Sequence, residues 1–365
     1  MPFDSGTISF RPCVVLNDFP EDVLERFAAK AAPPLEHAGP EPQLGWVTGR
    51  GLLETTIDEE SATCGGFLHL QLRNAIRKIP TSLLRAECRM AELVYIRENK
   101  DSVVPRKIRK QIKDDATERL LPKMPPQITG IPFAYDEPSK RLYIGATSDK
   151  QLDTFMAYFH QTLGFEPLPL TPEIIVTQQL DMDPADIPPL NFSSRVSDED
   201  AIGAIGQNFL TWLWYYLDTN KGMLPKTQMG EFGMVMDGPL VLVADGPGAH
   251  ESSIRKGTPL HSAEAKAALS VGKKLNRVKI TLARGDDMWT CGVDGETFTF
   301  RSMKLPDGEA LDPGSVFEER MTNLYVFQTV FFELFKYYVR QVTDSDTRAA
   351  LQKKIKAWVE GLPAK

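Results

Sequence analysis

The residues best placed to do chemistry in this sequence are lysines and arginines. Residues 73–113 read RNAIRKIPTSLLRAECRMAELVYIRENKDSVVPRKIRKQIK, with twelve Lys/Arg against four Asp/Glu, net +8. A second stretch, 252–284, holds eight Lys/Arg and one Glu, net +7. The whole chain is net −7, so the other residues carry −22 between them. Positive charge gathered in two places on an otherwise acidic chain points to a localised anion-binding surface. The corresponding chemistry is phosphate neutralisation. Lys and Arg on one face displace condensed counterions from a polyanion, which needs charge but no fixed motif. The DNA contacts expected on this basis are Arg106, Lys107, Arg109, Lys110 and Lys113 in the first stretch. In the second they are Arg255, Lys256, Lys273, Lys274, Arg277 and Lys279. On a strand, Arg277 and Lys279 point to the same face. Any one of these side chains taken alone is better read as a solvated charge. The two clusters together, set against an acidic remainder, favour phosphate binding.

Other chemistries find little support. The sequence has no GxGxxG and no GxxxxGK[ST] for nucleotide phosphates, and no GxSxG nucleophile elbow. His37, His69, His160, His250 and His261 form neither HExxH nor a Cys/His cluster, so no zinc site is expected. Asp286 and Asp287 could join a magnesium site in a nuclease, but paired aspartates between strands are more often turn formers. The expectation is therefore no catalytic residue, no metal and no cofactor. Cys13, Cys64, Cys88 and Cys291 show no CxxC and read as free thiols in a reducing cytosol. No basic n-region precedes an apolar run at the N-terminus, so no secretory signal is expected. The most apolar run, 324–339, is broken by Gln328, Glu333 and Lys336, and reads as a buried or partner-facing helix instead of a membrane span.

Two helices hold the first cluster. In 80–98, Leu84, Cys88, Ala91 and Tyr95 make one apolar stripe. From Pro105 to about Leu121, Val104, Ile108 and Ile112 make another, and the cations lie on a separate stripe. Proline suits the first helical turn, and Pro122, Pro125 and Pro126 stop the helix. Thin apolar stripes of this kind predict a helical hairpin projecting as an arm. The second cluster falls on strands 252–256 and 276–283 around a helix, 262–270, capped by Ser262. Further strands are expected at 6–16, 65–72, 127–135, 141–146, 288–293 and 297–301, with a hairpin of 234–237 and 240–244. Helices are expected at 20–32 (capped by Asp18), 149–163, 198–218, 313–342 and 343–362.

Trp212, Trp214, Tyr215 and Tyr216 could stack bases, but their helical spacing and non-basic surroundings favour the core. Val326, Phe327, Val330, Phe331, Leu334, Phe335 and Tyr338 make a wide apolar face for the core or a subunit interface. The mixture is α+β, with antiparallel or mixed sheets and packed helices. The expected organisation is a central body begun by 1–75, the basic arm 76–124, and a second body part 125–180. An inserted segment follows at 181–250, opened by a linker-like 181–197. A basic strand–helix–strand part, 251–305, and C-terminal helices, 306–365, complete it.

The chain resembles the bacterial recombination-associated RdgC proteins in a divergent form. The resemblance lies in LGWV at 44–47 and in the basic helix ending in LLPK at 120–123, with the strand, helix and LPL that follow to 170. It lies also in IRKG…HSAEAKAAL…GKKLNRVKITL at 254–282 and the WTCGVDGETFTFRSMKL that follows. Here LLP is followed by Lys123, Met124, Pro125 and Pro126, where the family often has a basic-Ala-Phe run, and 181–250 has no counterpart. The resemblance implies non-sequence-specific binding to DNA, mainly double-stranded, with single strands as a second ligand. It implies a ring-shaped homodimer that encircles DNA, antagonism of RecA-dependent recombination, and a cytoplasmic, nucleoid-associated protein with no membrane partner. The residues it carries over are Arg106, Lys107, Lys110, Lys113, Arg255, Lys256, Lys273 and Lys274. The family also carries an exonuclease label, so a nuclease or nuclease-associated factor is the second reading. An arm that docks an acidic protein partner is the third.

Overall fold

The computed structural model describes residues 3–100, 103–193, 197–198, 201–244, 251–255, 260 and 262–361. Two units make up the chain. One consists of Phe19–Ala62 and His69–Ile131, and the other of Met1–Asp18, Thr63–Leu68 and Pro132–Lys365. In chain order the first elements are β1 (Ile8–Val14), α1 (Val23–Ala29), β2 (Gln43–Thr48), α2 (Glu59–Ala62), β3 (Thr63–Cys64) and β4 (Phe67–Ile76). Then come α3 (Thr81–Asn99), α4 (Arg106–Leu120), β5 (Gln127–Asp136), β6 (Arg141–Ile144), α5 (Asp149–Leu163), β7 (Leu168–Pro169), α6 (Pro172–Leu180) and α7 (Ile205–Thr219). The last are β8 (Gly233–Val243), β9 (Ser252–Ile254), α8 (Ala263–Ser270), β10 (Lys274–Arg284), β11 (Asp287–Asp294), β12 (Thr299–Lys304), α9 (Pro313–Thr343) and α10 (Ser345–Val359). The architecture is α+β with antiparallel strand pairing, as expected.

In the smaller unit, β2 pairs antiparallel with β4 from Gln43↔Ala75 to Thr48↔Leu70. Phe27 of α1 packs edge-on against Trp46 of β2, with ring centroids 5.0 Å apart. The LGWV island is therefore a core strand. Arg73 is 2% exposed and is held by the carbonyls of Leu52 and Pro33. Arg77 donates to the carbonyls of Ala38 and Met124, which ties the foot of the helical hairpin to the loop before β2. These two arginines, counted within the basic stretch, serve the fold.

The larger unit is organised on a sheet in the order β6-β1-β12-β11-β10-β8-β9. The strand β10 alternates with period two: Val278, Ile280 and Leu282 are buried, while Arg277 and Lys279 face outward. Over the inner face runs α9, started by the Asp312 side chain, which accepts from the Ser315 N–H at 3.0 Å. Its Phe331 and Phe335 pack against Phe298 at 5.1 and 5.2 Å and against Phe209 of α7 at 5.5 and 5.2 Å. The wide aromatic face of α9 is thus core, which settles the choice left open between core and subunit interface and removes that face as a ground for dimerisation. Trp212 is fully buried in the same core. At the start of α7, a Cβ on Gly206 would lie 1.7 Å from the Gly295 carbonyl, so only glycine lets the helix approach that turn.

Several expectations need correcting. The segment 181–250 is no separable insert, since α7 and β8 share the core with α9 and β10. Nor is 181–197 a bare linker: Leu190 and Phe192 are buried, and the Leu190 N–H donates to Asn208 Oδ1. The helix expected from residue 198 begins at Ile205. The expected hairpin around Gly238 and Pro239 is the single strand β8, whose register slips between Lys279↔Asp237 and Arg277↔Val241. The slip takes up extra residues on β8, so the proline needs no ladder bond there. Asp18 caps no helix; Asp22 precedes α1, and Asp18 instead pairs with Lys140 at 2.6 Å, which lowers its carboxyl pKa.

Candidate nucleic-acid interface

The first cluster stands on the hairpin α3–α4 of the smaller unit. Its seam is apolar but thin. Leu84, Cys88, Ala91 and Tyr95 are half-buried, no residue of α3 is buried, and α4 buries Ala116 and Leu120. Two ion pairs cross the seam, Arg109 to Glu92 at 3.6 Å and Arg119 to Glu87 at 2.6 Å, while Arg89 reaches Glu92 at 3.4 Å within α3. Partly exposed pairs of this kind contribute ~0–1 kcal/mol each, so the two crossing pairs fix the register of the helices more than they stabilise them.

The pairing sorts the cations of α4. Arg109 is turned toward α3, so this expected DNA contact is partly committed to the hairpin. Arg106, Lys107, Lys110 and Lys113 are exposed and join no ion pair among the described residues. Helical spacing puts Arg106, Lys110 and Lys113 on one stripe. Arg97 and Lys100, at the end of α3, are also exposed, and sequence reasoning did not single them out. Their signal was available: in a hairpin, the last turn of one helix lies beside the first turn of the next.

The cations of the second cluster have unlike surroundings. Lys274 is 5% exposed and donates to Asn208 Oδ1 at 2.8 Å and to the Ile202 carbonyl. It is an interior side chain and not a surface contact. The cost of burying an ammonium requires such acceptors. Arg277 donates to Asp294 Oδ2 at 2.7 Å, and that hydrogen bond holds its pKa above the ordinary arginine value. Lys273 donates to Ser252 Oγ at 2.6 Å, and Arg255 to Ser253 Oγ at 3.2 Å. Lys279 is exposed, but its ladder partner is the equally exposed Asp237. Lys256 lies outside the described residues. Of this cluster, Lys274 is thus withdrawn into the interior and Arg277 paired with a carboxylate, while Arg255 and Lys279 keep exposed charges.

Asp286 and Asp287 sit at the tight β10–β11 connection beside Gly285, which has φ +59°. Arg284 donates to Asp287 at 3.2 Å across the mouth of that turn. Among the described residues, no three His, Cys, Asp or Glu side chains converge as a metal-ligating group. No helix among them is long and apolar enough to cross a membrane.

A basic, two-helix hairpin on a small α+β unit is thus the distinctive charged feature of the molecule. Residues 18–181 match the family described as "Putative exonuclease, RdgC", and this supports an RdgC-family protein. The matched stretch contains all of the smaller unit, including the hairpin. The resemblance drawn from 254–282 lies beyond the matched residues. No curated protein matches the chain.

Proposed function

We propose that the protein binds DNA without sequence specificity, mainly as duplex, through the hairpin α3–α4. The observation that carries this reading is the exposed cation stripe Arg106–Lys110–Lys113 on α4, which joins no ion pair among the described residues and lies inside the family-matched stretch. Such a stripe neutralises phosphates and reads no base, so affinity follows salt and not sequence. In an RdgC-type role the protein acts in recombination by occupying DNA, in opposition to RecA, within the nucleoid. The homodimer belongs to this proposal. Its support has moved from α9 to α3, where Met90, Leu93 and Val94 lie together on one face at 63%, 43% and 49% exposure, a stripe that a second copy would cover.

The protein is proposed to act by binding and not as a nuclease, since Asp287 is engaged by Arg284 in a turn. The testing experiment is a gel shift on labelled linear and circular duplexes with magnesium or manganese present, alongside light scattering of the free protein. The expected result is salt-sensitive retardation, intact label and a dimer. Product formation abolished by Asp286→Asn together with Asp287→Asn would instead establish the nuclease reading. Displacement of an acidic protein by DNA in competition would separate binding DNA from docking a protein.

A further inference from the structure

Within the larger unit, two clefts meet at a stacked pair. The Arg141 guanidinium carbon lies 4.1 Å from the Tyr325 ring centroid. Ser139, Arg141 and Tyr325 line both clefts. One cleft, about 440 Å3, also presents Gln328, Thr329 and Lys336, and the other, about 340 Å3, presents Tyr143. Three polar atoms in these walls are buried without a hydrogen-bond partner among the described residues: Gln328 Oε1, Thr329 Oγ1 and the Tyr143 hydroxyl. Gln328 is 3% exposed and Tyr143 2%. Native proteins pair nearly all such atoms, so three orphans around one stacked pair require a physical reason.

The charges in the walls point the same way. Neither Arg141 nor Lys336 joins an ion pair among the described residues. The carboxylates nearby are engaged, Asp136 by the Ser139 hydroxyl and Glu333 by the Gln228 N–H at 3.2 Å. In the larger cleft an anionic group would meet two cations without a carboxylate partner, Arg141 on the Tyr325 ring and Lys336, against the single wall carboxylate Glu333. Beside them, Gln178, Gln179 and Gln228 line the larger cleft together with Gln328. A carboxamide presents a donor and an acceptor in one plane, the combination that pairs with the edge of a purine. Tyr325 and Phe332 add ring surface, and the volume lies in the range of small-ligand sites.

We propose that the larger cleft binds a nucleoside monophosphate, with Arg141 and Lys336 on the phosphate and Gln328 and Thr329 at the base. A free nucleotide and the terminal nucleotide of a strand present the same chemistry. The site is distinct from the hairpin, and its failure would leave the DNA-binding reading untouched.

The test is calorimetric titration of the full chain with dAMP, deoxyadenosine and inorganic phosphate. The account expects dAMP to bind at least tenfold more tightly than either fragment. Arg141→Gln, Lys336→Gln and Gln328→Leu should each weaken dAMP about tenfold, while the pair Arg106→Ala and Lys110→Ala should leave it unchanged. Gln328→Leu removes an unpaired buried amide, so this variant should fold with an unchanged or raised Tm. A short strand with a 5′-phosphate, compared with its 5′-hydroxyl form, distinguishes the two sources. Competition with dAMP by the phosphorylated strand assigns a strand end, and its absence assigns the free nucleotide. If dAMP binds no more tightly than phosphate, or equally well to wild type and all three cleft variants, the proposal is wrong.

Discussion

Arg109 Nε lies 3.6 Å from Glu92 Oε1, across the seam between the two helices of the hairpin. Arg106, one turn earlier on α4, has no such partner among the described residues. Neighbouring arginines on one helix therefore do different work. Arg106→Gln should weaken duplex binding and flatten its salt dependence. Arg109→Gln should do less to binding, and should change stability by no more than the ~0–1 kcal/mol of an exposed pair. Gel shifts at several salt concentrations check this. Equal effects on the salt dependence from both variants would place Arg109 on DNA as well.

The interior position of Lys274 makes an opposite prediction. Lys274→Ala removes a buried donor from Asn208 Oδ1 and the Ile202 carbonyl. It should cost about 1–3 kcal/mol of stability, as loss of a buried hydrogen-bond partner does. Denaturant unfolding reads this cost. The salt slope of DNA binding should not move. A stable variant with a reduced slope would return Lys274 to the surface.

The larger unit depends on α7. Phe209 is fully buried and packs on Phe331, Phe335 and Phe298. Phe209→Ala should cost about 3–5 kcal/mol by creating a cavity. An unchanged Tm would mean that 181–250 is separable after all.

What the sequence made legible follows from how local its signals are. The helix α5 was readable residue for residue, because Ser148 and Gln151 form a capping box and Gly164 takes φ +88° at its end. Prolines likewise marked the start of each arm helix, Pro80 and Pro105, and Pro122 the end of the second. Membership of the core was not local. The aromatic face of α9 looked the same whether its partner was α7 or a second chain, and only the tertiary fold decides that. In the second basic cluster, the burial of Lys274 and the pairing of Arg277 were illegible for a related reason. Net charge counts residues without regard to where they point. Period two already gave Lys274 the parity of Val278 and Ile280, but the strand was expected to begin at Asn276, so Lys274 was left outside the pattern. Arg277 was correctly placed on the outer face, yet its partner Asp294 comes from the next strand. The exposure of Arg106, Lys107, Lys110 and Lys113 was legible because the outer face of a two-helix hairpin has few partners to recruit.

The central claim, that α4 holds phosphates, is tested most directly by the slope of log affinity against log salt for a non-specific duplex. Counterion release predicts that each lost phosphate contact reduces the magnitude of the slope by ~0.9 on B-form DNA. Replacing Arg106 and Lys110 together by alanine should therefore lower it by ~1.8, or by ~3.6 if both copies in a dimer engage the same duplex. Stability should shift by no more than ~0.5 kcal/mol, since both side chains are exposed. The exposed Lys354, on α10, serves as the control. A slope reduced in the double variant and unchanged in Lys354→Ala is the predicted result, and the same slope in wild type, double variant and control would contradict the account.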